Sequence, residues 1–167
     1  MVRAVILRRG QVLVAQAGHA FLPGGPIERG EPAEAALLRE LREELAVEAR
    51  VAAYLGAIEL TYGNHHEIGH FFHVTADALA CGGDPVSAEA HLRFHWAGVD
   101  DLGGLGVLPR PPQSLVPRWV RGDRRIGWAS EIEGRPAPLT ARDSRGAAVP
   151  RSGPCRPRGA PPGGCGR

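Results

Sequence analysis

The chain has 167 residues, 43% of them apolar and 23% charged, which is enough for one buried core and too mixed for wholesale disorder. No apolar run approaches the roughly 20 residues that span a bilayer, and none opens the chain as a signal peptide would, so a cytoplasmic protein with no membrane partner is expected. The net charge of +2 is unevenly spread: residues 135–167 hold seven of the 20 basic residues and one of the 18 acids, which leaves residues 1–134 acidic and argues against a nucleic-acid partner.

Val2 to Leu7 and Gln11 to Ala15 are apolar and β-branched, and Arg8-Arg9-Gly10 between them predicts a hairpin turn. A short strand, His19 to Leu22, leads into the loop Pro23-Gly24-Gly25-Pro26. Ala33 to Leu45 holds no Gly, Pro or β-branched residue and reads as the main helix, with Pro32 at its first position and Glu31 where an N-terminal acid is favoured. Leu37, Leu38, Leu41 and Leu45 form an apolar stripe that needs a sheet to cover it. Val51 to Leu60 and His66 to Ala76 read as strands around the turn Tyr62-Gly63-Asn64, and Leu92 to Gly98 as another. Val99 to Leu105 reads as a short helical turn and Pro112 to Val120 as the last helix, with Trp119 and Trp128 closing the core. Strands before and after one central helix imply a mixed α/β sandwich. Residues 135–167 carry seven Pro and six Gly with Leu139 and Val149 as their only large aliphatics, so they bury too little to offset ordering and read as a disordered tail after a 1–134 domain. Cys81, Cys155 and Cys165 are an odd set without metal-ligand spacing and make no disulfide framework.

The main helix carries Glu40, Glu43 and Glu44 at spacings of three and four, which puts three carboxylates on one face. Like charges so placed repel. Arg39 and Arg42 can offset them, and so can a hard divalent cation, which takes carboxylate oxygens. Helix spacing alone also fits a solvated acidic face. The wider spacing is more specific: Gly25 is followed by five residues and Glu31, then seven residues and Arg39-Glu40-Leu41, then Arg42, Glu43-Glu44, Leu45, Ala46 and Val47. This pattern resembles the Nudix box, the loop-helix-loop signature of the Nudix hydrolase family, at eight of its nine specified positions. Ala46 stands where the family has glycine, which leaves the helix exit open and every proposed ligand upstream of it. Leu22-Pro23-Gly24-Gly25 and the strand Leu92-Arg93-Phe94-His95-Trp96 resemble the family's flanking segments.

The resemblance covers about residues 1–134. It implies an α/β fold, a Nudix-type α/β/α sandwich with a mixed sheet and a central loop-helix-loop catalytic motif, and hydrolysis of a nucleoside diphosphate linked to another moiety. Glu40, Glu43 and Glu44 would hold Mg2+ or Mn2+, with the Gly25 carbonyl a further ligand. Arg39 would orient the carboxylates, and Glu31 would support the helix start or the metal shell. The acceptor of the water proton is either Glu40 or a loop glutamate, for which Glu89 is the first choice and Glu67 the second. The substrate would be a small-molecule nucleotide, nucleotide sugar or dinucleoside polyphosphate, and a homodimer is left open. Tyr62 falls near where some dinucleoside-polyphosphate members stack a base.

His65, His66, His70 and His73 crowd one hairpin, but in a strand His66 and His70 share a face while His73 takes the other, which disfavours zinc. Two alternatives to a nucleotide hydrolase remain: a Nudix-fold sensor without catalysis, whose kind usually loses the box carboxylates this chain keeps, and an RNA-end pyrophosphohydrolase using the Arg-rich tail. If the tail adds nothing to the core, a chain ending after Gly134 keeps the melting temperature and activity of the whole chain; loss of cooperative unfolding on truncation would show that the tail packs.

Overall fold

The computed structural model describes residues 1–81 and 85–132, with Tyr62 described by its backbone alone. The chain divides into two units, Met1–Arg135 and Pro136–Arg167; the expected tail lies outside the described residues. Seven strands and three helices are present among them: β1 (Val2–Arg8), β2 (Gln11–Ala17), β3 (His19–Phe21), α1 (Ala33–Leu45), β4 (Arg50–Tyr62), β5 (His65–Thr75), α2 (Asp77–Ala80), β6 (Arg93–Gly98), α3 (Pro112–Val120) and β7 (Gly127–Ser130). The sequence expectation therefore holds for β1 to β6, α1 and α3, and omits α2 and β7. Val99 to Leu105 forms successive turns and no helix.

Strand β1 is shared between two layers. It pairs parallel with β5 from Val2 to Ile6, and antiparallel with β2 only at Leu7 and Arg8, beyond which β2 runs between β3 and β6. β5 continues through antiparallel β4 to β7, which lies parallel to β4 at the sheet edge. Where β2 leaves β1, the loop before α1 takes its place: the Val2 N–H donates to the Gly25 carbonyl at 2.9 Å and the Ala4 N–H to the Pro23 carbonyl at 2.8 Å. Alternation along β1 then serves both faces. Val2, Ala4 and Ile6 pack with Leu37, Leu41 and Leu45 of α1. Val5 packs on the opposite face with Ile58, Phe71 and Val116 of α3. A mixed sheet covered by helices on both faces is the α/β/α sandwich the sequence predicts.

Three details differ from the expectation. Pro32 is the N-cap residue, one position earlier than predicted, in extended conformation with its carbonyl accepting the Ala36 N–H at 3.0 Å. Leu38 is only half-buried, and Glu44 occupies a buried position of the helix face instead. Trp128 does not close the core: on the edge strand β7 it is 53% exposed. β7 pairs with β4 at Gly56, where φ is +142° and a Cβ would collide with the Gly127 backbone, so a side chain there would push the edge strand away.

Helix α1 ends as the box position predicts for glycine. Ala46 has φ 53° and ψ 35°, a left-handed cap whose N–H donates to the Arg42 carbonyl at 2.9 Å. A Cβ in that region is strained. Ala46→Gly should therefore stabilise the fold by about 1 kcal/mol, seen as a melting temperature higher by about 2–4 °C in calorimetry; a lower melting temperature would contradict the strain.

Candidate active site

Strand β1 and helix α1 clamp the Leu22–Gly25 loop between them. Gly24 has φ +120°, and a Cβ there would press on the Val2 backbone. A Cβ on Gly25 would overlap the Glu40 carboxylate. The two glycines thus let the chain pass between a strand and an acidic helix face, and the Gly24 N–H donates to Glu44 Oε2 at 2.9 Å. Arg3, on β1, donates to the Leu22 carbonyl at 3.1 Å and to the Gly24 carbonyl.

Arg39 organises the exposed half of the acid cluster. Its Nε and one terminal nitrogen hold Glu31 at 3.0 and 3.1 Å, and that second nitrogen also donates to the Pro26 carbonyl at 3.2 Å. The other terminal nitrogen donates to Glu40 at 2.8 Å and Glu43 at 3.0 Å. Every donor of the guanidinium fork has an acceptor. Glu31 also accepts the Glu28 N–H at 3.1 Å, and Arg39 beside it holds its carboxyl below the usual range. Glu31 thus ties the loop to the helix through Arg39.

Glu44 differs from its neighbours. Only 5% exposed, it is the one buried charged residue among those described. Burial pushes its carboxyl up to about 7, against the opposing effects of the Gly24 N–H and the Arg3 charge and with further repulsion from Glu40 and Glu89. Arg3 does not cancel this charge fully: burial lowers its own pKa, Glu44, Glu67 and Glu40 raise it, and its Nε is buried with no hydrogen-bond partner.

The structure brings Gly25, Glu31, Arg39, Glu40, Glu43 and Glu44 into one neighbourhood. Glu89 joins it from the segment before β6, because the Ala88 N–H donates to the Glu44 carbonyl at 2.8 Å at the end of α1. The Ser87 hydroxyl caps the Glu89 carbonyl at 2.7 Å, and His91 Nε2 stands 3.3 Å from its carboxylate. Glu67 lies elsewhere, in a cleft, with its carboxylate 3.2 Å from the Met1 amino group. The carboxylates of the cluster do not converge on one point: among the described residues no three His, Cys, Asp or Glu side chains are placed to share an ion. Arg39 draws Glu40 and Glu43 while Glu44 turns to the Gly24 amide, as like charges separate. The histidines also disperse, His66 to Glu59 at 2.8 Å, His70 to the Tyr54 hydroxyl at 3.0 Å and His73 against Trp119. The Tyr62 side chain lies outside the described residues.

Sequence reasoning missed the cleft beside this cluster. It measures about 410 Å3 and opens between the two layers, with Arg3, Phe21, Leu60, Glu67, Leu108 and Glu131 among its walls. The Arg3 guanidinium stands 5.1 Å from the Phe21 ring centre. One signal existed: Arg3 is the lone charge in the apolar run Val2 to Leu7, and a charge there has to face something.

A glycine-rich loop held between a shared strand and an acid-faced helix, in a sheet covered on both sides, defines a Nudix-type hydrolase. The chain belongs to the Nudix hydrolase family, enzymes acting on phosphorus-containing acid anhydrides: the NUDIX domain family model matches residues 1–118. It is 37% identical to the CTP pyrophosphohydrolase of Escherichia coli K12 over 117 residues, 65% of this chain and 82% of that protein. It is 30% identical to the NAD-capped RNA hydrolase NudC of Pseudomonas entomophila over 135 residues, 77% of this chain and 46% of that protein, so it spans about half the length of that relative. The solution structure of the E. coli ORF135 protein matches with a TM-score of 0.56 at 27% identity, covering 75% of this chain and 92% of that one.

The buried acid gives a pH test. A carboxyl held near 7 when folded, against 4.5 as its ordinary value, binds its proton more tightly in the folded state, so the contribution of Glu44 to stability is full below pH 4.5 and is lost as pH rises through 7. Glu44→Gln keeps an acceptor for the Gly24 N–H and carries no charge. In metal-free buffer it should melt several degrees above the parent at pH 8, with the gap closing toward pH 5; an equal gap at both values would contradict the buried charge.

Proposed function

We propose that this chain is a divalent-metal-dependent pyrophosphohydrolase that cleaves a nucleoside diphosphate linked to another moiety, with a nucleotide as the preferred small-molecule substrate. The observation that carries this reading is the buried Glu44 carboxylate. A charge kept at a cost to the fold, beside Glu40 and within reach of Glu89, fits a group that a cation neutralises. The donor set suits a hard ion, since Glu40, Glu43 and Glu44 present carboxylate oxygens and Gly25 a carbonyl with a second lone pair beyond its bond from Val2. When bound, Mg2+ or Mn2+ supplies Lewis acidity to the diphosphate and lowers the pKa of a water.

The side chains then divide the remaining tasks. Glu40, Glu43, Glu44 and the Gly25 carbonyl would hold the ion, and Arg39, braced by Glu31, keeps Glu40 and Glu43 together on one side of the site, from which they and Glu44 would turn to converge on it. Glu89 accepts the proton of the attacking water at its carboxylate, a place given to it by the Ala88–Glu44 backbone bond. The nucleoside end lies in the cleft beside Arg3. The relative named a CTP pyrophosphohydrolase supports a nucleotide substrate, and the acidic residues 1–134 place a small molecule ahead of an RNA end.

Replacing Glu43 or Glu44 by Gln removes a charged oxygen from this set, and turnover with Mg2+ should fall at least about a hundredfold while the melting transition persists. Near-normal rates in either variant at limiting Mg2+ would refute the ligand assignment. A phosphomonoester offers fewer oxygens and no phosphate leaving group, so p-nitrophenyl phosphate should turn over far more slowly than a nucleoside triphosphate. Equal rates, or no cleavage of any diphosphate compound with Mg2+ or Mn2+, would overturn the reading.

A further inference from the structure

The cleft next to the acid cluster has two unlike ends. Toward the acid cluster stands Arg3, whose charge faces Glu44, Glu67 and Glu40 and whose guanidinium lies over the Phe21 ring. Away from it stand the apolar Leu60 and Leu108, the latter 41% exposed although large and apolar, and the carboxylate of Glu131. A slot with an aromatic side and aliphatic lips suits a flat heterocycle, and a charged acceptor on its wall selects which edge that ring presents.

Glu131 is fixed from two directions. Its N–H donates to the Glu59 carbonyl at 2.8 Å, one residue past the β4–β7 pairing, and its Oε1 accepts the Arg110 N–H from the loop that carries Leu108. Oε2 has no hydrogen-bond partner among the described residues. A carboxylate can only accept. With one oxygen committed to the backbone, the other is left as an acceptor on a residue that lines the cleft.

From this we infer that Glu131 is a specificity-determining residue: it selects a base whose edge carries an amino group, cytosine over uracil. The inference rests on the reading above that the nucleoside end occupies the cleft. Cytosine places an N4 amino donor where uracil places the O4 carbonyl, and a carbonyl facing the carboxylate sets two acceptors against each other. A mismatched polar pair discriminates more strongly than a missing methyl group.

Because Arg110 holds Oε1, the substitution Glu131→Gln has a directional outcome. The amide keeps its oxygen toward the Arg110 N–H and turns its NH2 to the cleft, which converts an acceptor into a donor. The test is kcat/KM for CTP and UTP with Mg2+ on the full chain, for the parent, Glu131→Gln and Glu67→Gln. The parent should favour CTP by roughly tenfold or more. Glu131→Gln should lower that ratio by a similar factor, with UTP gaining in absolute kcat/KM, and Glu67→Gln should leave the ratio in place.

A parent ratio below about fivefold, a Glu131→Gln ratio within about threefold of the parent's, or a shift produced by Glu67→Gln in place of Glu131→Gln would overturn the assignment. If Glu131→Gln does not fold, the parent alone decides: N4,N4-dimethyl-CTP, which has lost both amino hydrogens, should be cleaved as poorly as UTP, and cleavage as fast as CTP would overturn the role of the donor. Failure of the hydrolase reading looks different, because then neither triphosphate is cleaved at all.

Discussion

The contact between the Gly24-Gly25 backbone and the carboxylates of Glu40 and Glu44 sets the terms for the rest of the molecule. Neither glycine has room for a Cβ, one because of β1 and the other because of Glu40. The loop can therefore lie flat against β1 and complete its edge while the helix approaches with its acids. Apolar residues Leu37, Leu41 and Leu45 hold α1 in that position, and about 25 cal/mol per Å2 of buried apolar surface is the force available to do so. That force has to exceed the cost of burying Glu44 on the same face. Packing and chemistry are thus in direct competition along one helix of 13 residues.

Neighbouring carboxylates on that helix resolve the competition differently. On one side, Arg39 satisfies Glu31, Glu40 and Glu43 at once, so the charges there are compensated by one cation. At Glu44, the compensation is one amide and the charge of a partly desolvated Arg3. The imbalance is local to Glu44, which is why the exposed carboxylates can belong to the site without straining the fold while Glu44 cannot.

How much of this was legible depended on whether the information was local. The helix and its acidic face follow from short-range spacing, and the structure keeps their limits, Ala33 to Leu45. The exit at Ala46 was left open by the sequence, because an alanine in the glycine position fits either a strained left-handed cap or another path, and the structure takes the left-handed one. Glu89, suggested by the family resemblance as a loop glutamate, stands near Glu44, whereas Glu67, suggested on the same ground, lies in the cleft. Non-local features were not readable. β7 has four residues and exists because Gly56 leaves space for it beside β4, a condition set some 70 residues earlier in the chain. Trp128 was assigned to the core on size, but an edge strand leaves one of its faces open. The cleft draws its walls from the start of β1, from β3, from the β4–β5 hairpin, from the segment before α3 and from the end of β7, so no window of sequence contains it.

The sharing of β1 between two layers has a consequence for how the site opens. Its Val2 and Ala4 amides bond to the loop and not to a neighbouring strand, so the edge of the sheet and the wall of the catalytic loop are the same pair of hydrogen bonds. A local opening that frees Gly24 and Gly25 has to release those two amides, while the pairing of β1 with β5 on its other edge is untouched. Hydrogen exchange at these positions is then a clock for the loop: any agent that grips the acid cluster slows it, and the free energy of that slowing measures how firmly the loop is held, without reference to turnover.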